Sequence, residues 1–389
     1  MTPAMTAWAL SGGAAVSVGF ARFGYALILP AMQTDLALNY AQAGWLNTAN
    51  ALGYLLGALV TLYCVSRVGN RRLFAAGLVL TTLALLANGL TQHFHLLALY
   101  RFMAGFGAAG AFITGGVLSG VLGTRSIVIF FSGGGLGMLA TGASLPWLFD
   151  YAGPAAWPWA WIAIAGACAP LSLAAIAAMR SIAEPAEPGA SSSWPWRPCV
   201  PELVAYFLFG LGYIAYMTFI VAWLRHSAAH ALPLAATTSI MWTVLGSMTL
   251  LAPWLWKGVF NGRQDGWPMT ASMLVLAAGA ALPLALPNLL GIWLSSALVG
   301  ASVFMVPSAA TAFIKTNLAR PAWGSALAVA TSLFAAGQTI GPVAAGWISD
   351  LSGSLSTGLA VSAAILVLGA LVAATQKPLS AHSLQPYRE

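Results

Sequence analysis

The chain has 389 residues, of which 60% are hydrophobic and 6% charged, with a mean hydropathy of +0.84. A soluble domain carries about 25% charged residues. That leaves too little polar surface to cover a water-exposed globule, and it excludes a soluble enzyme, a disordered chain, a nucleic-acid binder and a secreted module. The formal net charge of +7 comes from 15 basic against 8 acidic residues. The basic ones sit in short segments between apolar runs, as in the loops of a helical membrane protein.

In chain order, apolar runs broken by charge, proline or glycine predict twelve spans: 8–32, 43–64, 73–91, 96–121, 126–149, 157–179, 203–224, 233–255, 269–287, 289–313, 325–348 and 356–375. At ~20 residues each they take up about 240 positions, and the loops that remain are too short for a soluble catalytic domain. The first 21 residues contain no Lys or Arg. The basic start of a cleaved signal is therefore missing, and the N-terminus is expected to lead straight into the first span. Cys64, Cys168 and Cys199 fit no disulfide or metal spacing and read as small apolar residues.

The basic residues set the orientation. Loops after even-numbered spans hold Arg67, Arg71, Arg72, Arg125, Arg180, Arg197, Lys257, Arg263, Lys315 and Arg320, and the C-terminal tail adds Lys377 and Arg388. The other side has only Arg225. This bias places both termini in the cytoplasm and puts Asp35, Asp150 and Asp350 at outer helix ends. Trp157, Trp159 and Trp161 read as an interfacial aromatic belt. His93, His95, His226 and His230 fall in outer loops and form no metal set.

The Pro- and Ser-rich stretch 180–202 divides the chain into a bundle over 1–179, a cytoplasmic linker, a second bundle over 203–376 and a tail over 377–389. The halves repeat. At an offset of 200, Ser132/Ser332, Gly137/Gly337, Trp147/Trp347, Asp150/Asp350 and Gly153/Gly353 coincide, and spans 1 and 7 share Gly19/Gly210, Tyr25/Tyr216 and Ala31/Ala222. A duplicated six-helix unit of this kind is characteristic of secondary transporters, whose substrate site lies at the midplane between the halves.

Four features resemble the major facilitator superfamily: the six-plus-six spans, the loop SRVGNRR (Ser66 to Arg72), RFMAGFGAAG (Arg101 to Gly110) and GQTIGPVAAG (Gly337 to Gly346). The strings GFARFGYALILP, NALGYLLGAL and FGLGYIAYMTF resemble its bacterial YbfB/YjiJ-type branch. The resemblance implies an all-α fold of twelve transmembrane helices in two pseudo-symmetric six-helix bundles, alternating access in a bacterial inner membrane, and an inner gate held by Arg67, Gly69, Arg71 and Arg72. In that loop the superfamily's acidic position is Ser66 and its leading glycine is Leu62, so the charge network appropriate to the motif lacks its carboxylate.

Arg22 lies near the middle of span 1, where a charge costs from about 2.5 to above 10 kcal/mol and marks a functional site by default. It is expected to bind an anionic group of the substrate, with Tyr25 one turn away on the same face. Its alternative role is to brace backbone carbonyls or tyrosines. Arg101 in span 4 is read either as part of the binding site or as a brace against span 1. Tyr206, Phe209, Tyr213 and Tyr216 lie at helical spacing on span 7, as cavity lining or as packing. Asn47 and Asn50 of span 2 and Gln338 and Thr339 of span 11 are candidate ligand contacts or interhelical bonds. Asp35 is the candidate coupling acid, since no Asp, Glu or Lys falls in the middle of a span. That absence tilts the substrate toward an anion or zwitterion.

Glycine pairs at four-residue spacing (Gly53/Gly57, Gly116/Gly120, Gly133/Gly137 and Gly337/Gly341) are expected to make close helix contacts that serve as sliding seams between rocking halves. The sequence carries no enzyme motif, no cofactor or metal motif and no nucleotide site. The expected function is secondary transport of a small organic solute by a monomer, with the substrate held by Arg22, Tyr25, Asn50, Arg101, Tyr213, Tyr216 and Gln338. Alternatives are an amphiphile efflux antiporter, a passive anion channel and a non-transporting receptor.

Overall fold

In lipid every backbone N–H and C=O must be satisfied within the segment, so an apolar chain of this length crosses as helices. The computed structural model describes residues 2–184, 194–226 and 232–379. The twelve long helices are α1 (Ala4–Leu36), α2 (Tyr40–Val68), α3 (Asn70–Asn88), α4 (Phe94–Val121), α5 (Thr124–Ala152), α6 (Pro154–Met179), α7 (Arg197–His226), α8 (Leu234–Leu255), α9 (Trp267–Ala285), α10 (Leu289–Asn317), α11 (Trp323–Ser352) and α12 (Leu355–Ala374). Eleven of them are each long and apolar enough to cross a membrane, and α5, 29 residues long, completes the set. Among the described residues there is no strand. The expected linker and tail fall partly outside the described residues, as do His230 and Arg388.

Local chemistry sets the helix ends. Asn39 and Gln42 form a reciprocal cap at the start of α2. Asn288 accepts the Gly291 N–H at 2.9 Å to begin α10, just after the Pro287 break. Gly153 and Gly353, paired in the repeat, end α5 and α11 with φ of +74° and +67°, a backbone region that suits glycine.

Packing repeats with the sequence. In the first half α1 packs on α5 and α6, α4 on α2 and α3, and α3 on α6. In the second, α7 packs on α11 and α12, α10 on α8 and α9, and α9 on α12. The two bundles meet along α2–α11 and α5–α8, which are themselves equivalent pairs. Gly137 lies against Gly19 of α1, and Gly337 lies against the α7 backbone at Phe207 and Gly210. The two glycine matches found independently in sequence are therefore the same crossing made twice.

The spaced glycines work inside the bundles, which corrects the sliding-seam expectation. Gly53 and Gly57 abut the α4 backbone, and Gly133 and Gly137 abut α1. Gly337 and Gly341 abut α7, while Gly116 and Gly120 meet side chains alone, those of Phe130, Phe131 and Ile127. The seam between bundles is built from other residues: Gly44 against Pro342, Gly346 against Tyr40, and Gly142 against Trp242.

Two helices depart from regular winding near mid-depth. Ala15–Phe23 of α1 winds as a π-helix, each N–H reaching five residues back, as Gly24 does to the Gly19 carbonyl. In α10 the helix breaks at Val303–Phe304 into Leu289–Ser302 and Met305–Asn317. Pro307, which has no N–H to give the Val303 carbonyl, accounts for that break.

Candidate functional site

The face that carries the start of α1 and the end of α12 is called the near face and its opposite the far face. Every hydrogen bond between the bundles among the described residues lies in the far half. Asp350 at the end of α11 accepts the Tyr40 and Ala41 N–H groups at 3.0 and 2.8 Å, so it caps α2 of the other bundle. The Thr48 hydroxyl donates to the Thr339 carbonyl at 2.7 Å, and the Asn47 amide donates to the Thr218 hydroxyl at 2.5 Å. Arg225 donates to the Pro30 carbonyl at 2.8 Å. Nearer the middle the Phe23 and Phe304 rings meet edge-on at 6.2 Å, and no hydrogen bond or ring contact among the described residues joins the halves on the near side of that pair. Because a carboxylate on two helix-N-terminal amides is a charge-assisted bond, Asp350→Ala should loosen the far side. A cysteine introduced at buried Thr218 should then react several-fold faster with a membrane-impermeant maleimide added from that side.

Arg22 sits at mid-depth in α1, 9% exposed, with Nε and one terminal nitrogen buried and without an acceptor. Its guanidinium lies 5.2 Å from the Tyr54 ring of α2 and within electrostatic reach of Tyr213 on α7. The Tyr213 hydroxyl donates to Gln338 Oε1 of α11 at 2.7 Å, and Gln338 Nε2 is buried with no acceptor. Unused donors from both bundles thus converge at one depth. Below them Tyr206, Phe209, Tyr213 and Phe334 form a stack of nearly parallel rings, with centroids 4.5–6.0 Å apart.

The structure takes four of the expected contacts elsewhere. Arg101 is fully buried inside the first bundle. It donates to the Ala21 carbonyl at 2.6 Å, the Leu46 carbonyl at 3.4 Å and Asn47 Oδ1 at 3.4 Å, and it lies 4.5 Å from the Tyr25 ring and 5.4 Å from Trp161. Tyr25 is also fully buried, its hydroxyl on the Ala43 carbonyl at 2.7 Å. The wide turns of the π segment separate Tyr25 from Arg22, which regular winding would stack on one face. Tyr216 turns into the second bundle, its hydroxyl 2.7 Å from Ser295 Oγ. Asn50 is buried beside Arg101 and donates to its carbonyl at 3.0 Å.

Trp157 and Trp161 are also buried, and of the three tryptophans only Trp159 is exposed as a belt residue would be. Trp157 Nε1 donates to Asp35 at 2.7 Å, which holds that exposed acid at the far face away from the cleft.

The loop SRVGNRR recovers the carboxylate its sequence lacks. Glu184, just past α6, accepts the Asn70 N–H, the Asn70 side-chain amide at 3.0 Å and the Arg71 N–H at 3.3 Å. It therefore caps α3. Gly69 has φ +86°, and a Cβ there would sit 3.3 Å from that carboxylate. Arg71 donates to the Arg180 carbonyl at 3.4 Å, Arg67 lies 4.7 Å from the Tyr63 ring, and Arg72 is exposed. Tyr54, Phe334 and Glu184 are the residues that sequence reasoning passes over. Of these only Tyr54 carries a signal, at helical spacing from Asn47 and Asn50. Among the described residues no cluster of metal-ligating side chains occurs.

Two pseudo-equivalent six-helix bundles with unused polar donors facing one another at mid-depth define a transporter of the major facilitator type. The family described as "Uncharacterised MFS-type transporter YbfB" matches residues 14–374, and the chain belongs to it. It is 26% identical over 340 residues to the "Uncharacterized MFS-type transporter YceJ" of Bacillus subtilis (strain 168), covering 82% of this chain and 83% of that one. Among solved structures it superposes on the nucleoside transporter NupG with a TM-score of 0.71 at 13% identity, covering 95% of this chain and 98% of that one. A bacterial homologue of the human lysosomal transporter Spinster, inward-facing and occupied, gives 0.71 at 14% identity and 98% of each chain. These last two likenesses establish the fold. The chain is a multi-pass membrane transporter of a small molecule and not an enzyme.

Proposed function

We propose that this protein moves a small organic anion or zwitterion across a bacterial inner membrane by alternating access, driven by a proton gradient or by solute exchange. The observation that carries the reading is Arg22, a guanidinium at mid-depth with two buried nitrogens lacking an acceptor and no carboxylate bonded to it. A buried cation that its own protein leaves unmatched favours a negatively charged guest. Gln338 Nε2 adds a second unused donor from the opposite bundle. Arg22, Tyr54, Tyr213 and Gln338 hold the substrate, and Asn50 supports them from behind. Arg101, Tyr25 and Tyr216 position the helices.

The near face is cytoplasmic, as the basic loops favour. The cleft is then closed toward the outside by Asp350 and Arg225, and Arg67, Gly69, Arg71 and Arg72 form the inner gate when the halves rock. Asp35 serves the outer end. Arg22, Tyr54, Tyr213 and Gln338 all come from one chain, which favours the monomer as the working unit.

A thermal-shift screen of the purified protein with carboxylates, phosphates and hydrophobic cations tests the reading. Anions should raise the melting temperature of the native protein and lose that effect in Arg22→Lys, whose point charge lacks the fork that matches a carboxylate. Stabilisation by cations alone would overturn it.

A further inference from the structure

Glu202 is the one buried carboxylic acid among the described residues, 3% exposed in the second turn of α7. Its Oε2 has no hydrogen-bond partner, and among the described residues no cation lies within ion-pairing distance. The side chain borders a cleft with room for about one water, walled by Trp194, Tyr206, Phe313, Ile314 and Ala330. An ionised carboxylate in such walls would be uncompensated. A sodium ion needs several oxygen ligands, and among the wall side chains Tyr206 alone carries one beside Glu202 itself.

The titratable and charged groups around it are few. Cys199 and Asp265 lie within electrostatic reach, and neither is a cation. Asp265 pairs with Arg263 at 3.3 Å. Tyr206 is one turn above. Lys315, on the α10 half that covers the pocket, lies 5.8 Å from the Trp323 ring, and Arg197 lies 5.7 Å from the Trp196 ring. From the α12 end, neutral Gln376 accepts the Glu202 backbone N–H.

Phe313 and Ile314 belong to the Met305–Asn317 half of α10, below the Val303–Phe304 break. Phe304 at that break is the residue that touches Phe23, the neighbour of Arg22. Glu202 itself lies eleven residues below Tyr213, about 16 Å along the helix, too far to share a small substrate with Arg22.

We propose that Glu202 is a proton-binding site whose occupancy controls the inner half of α10. With the proton bound, the apolar face of Met305–Asn317 packs over the neutral acid and the half-helix stays in the arrangement seen here. When the proton leaves to the cytoplasm, the bare carboxylate draws water, the half-helix swings away about the Val303–Phe304 break, and the inward-facing arrangement loses population. This inference stands apart from the nature of the substrate, and its test uses none.

Infrared spectra of the full-length protein in lipid should show the carbonyl stretch of a protonated carboxyl at neutral pH, lost in Glu202→Gln. Spin labels at Val121 and Thr316, on the equivalent near ends of α4 and α10, should report an inward-facing distance whose population falls as pH rises in the native protein. In Glu202→Gln, which stays neutral, it should hold constant. A native protein without the band, a band that survives the substitution, or a pH response that persists in Glu202→Gln would each overturn the proposal. If Glu202→Gln folds poorly, labelling native protein with carbon-13 glutamate reads the same band directly, and its failure to shift would be equally decisive.

Discussion

Replacing Arg22 with methionine is expected to abolish transport while leaving the protein at least as stable as before. Among the described residues the Arg22 guanidinium makes no hydrogen bond: two of its nitrogens are buried without an acceptor, and its ring contact is to Tyr54 at 5.2 Å. A buried charge without a partner carries an uncompensated desolvation cost, so its exchange for an apolar side chain of similar volume should be neutral or stabilising, as it often is for whole buried ion pairs. Two charge-assisted bonds to substrate at about 1.5–3 kcal/mol each correspond to a loss of flux on the order of 100-fold or more. Melting temperature and solute uptake measured on one preparation check both halves. A variant that unfolds would show that Arg22 holds the bundle together, and one that transports normally would remove it from the site.

Arg101 is expected to behave in the opposite way. Its guanidinium bridges the Ala21 and Leu46 carbonyls and Asn47 Oδ1, so it ties α1 to α2 from α4. Arg101→Ala strands those acceptors and opens a void beside Tyr25 and Trp161, at a cost of about 3 kcal/mol or more. The variant should melt well below the native protein, and its flux should fall with the amount of folded material. Per folded molecule, ligand-induced stabilisation should persist. Two arginines that composition treats alike are thus separated by a pair of measurements.

The architecture was legible because lipid allows so few solutions. Each of the twelve predicted spans overlaps an observed helix, and the ends differ by a few residues where the helix continues beyond the apolar run, as α1 and α2 do. The depth of Arg22 was readable by counting along its span. Side-chain direction was less so. The reading of Arg22 and Tyr25 as partners assumed 3.6 residues per turn, and the π segment violates that assumption at this place. The stripe on α7 was correctly periodic, but that helix is buried nearly all round, so a periodic face does not say which neighbour it meets. Tyr213 meets the cleft and Tyr216 its own bundle. Glu184 was out of reach, since it joins Asn70 across 114 positions of chain.

The wide-turned segment of α1 bears on how this helix tolerates insertion and deletion. Loss of a single residue between positions 15 and 21 would let the ladder relax from five-back to ordinary four-back bonding, with the overall length hardly altered. Nine residues in wide turns and eight at 3.6 per turn sweep different total angles, so the guanidinium would leave its present bearing by a fraction of a turn while lipid still saw an unbroken apolar rod. Such a change would escape any screen for expression or membrane insertion and would surface only as a lost solute preference.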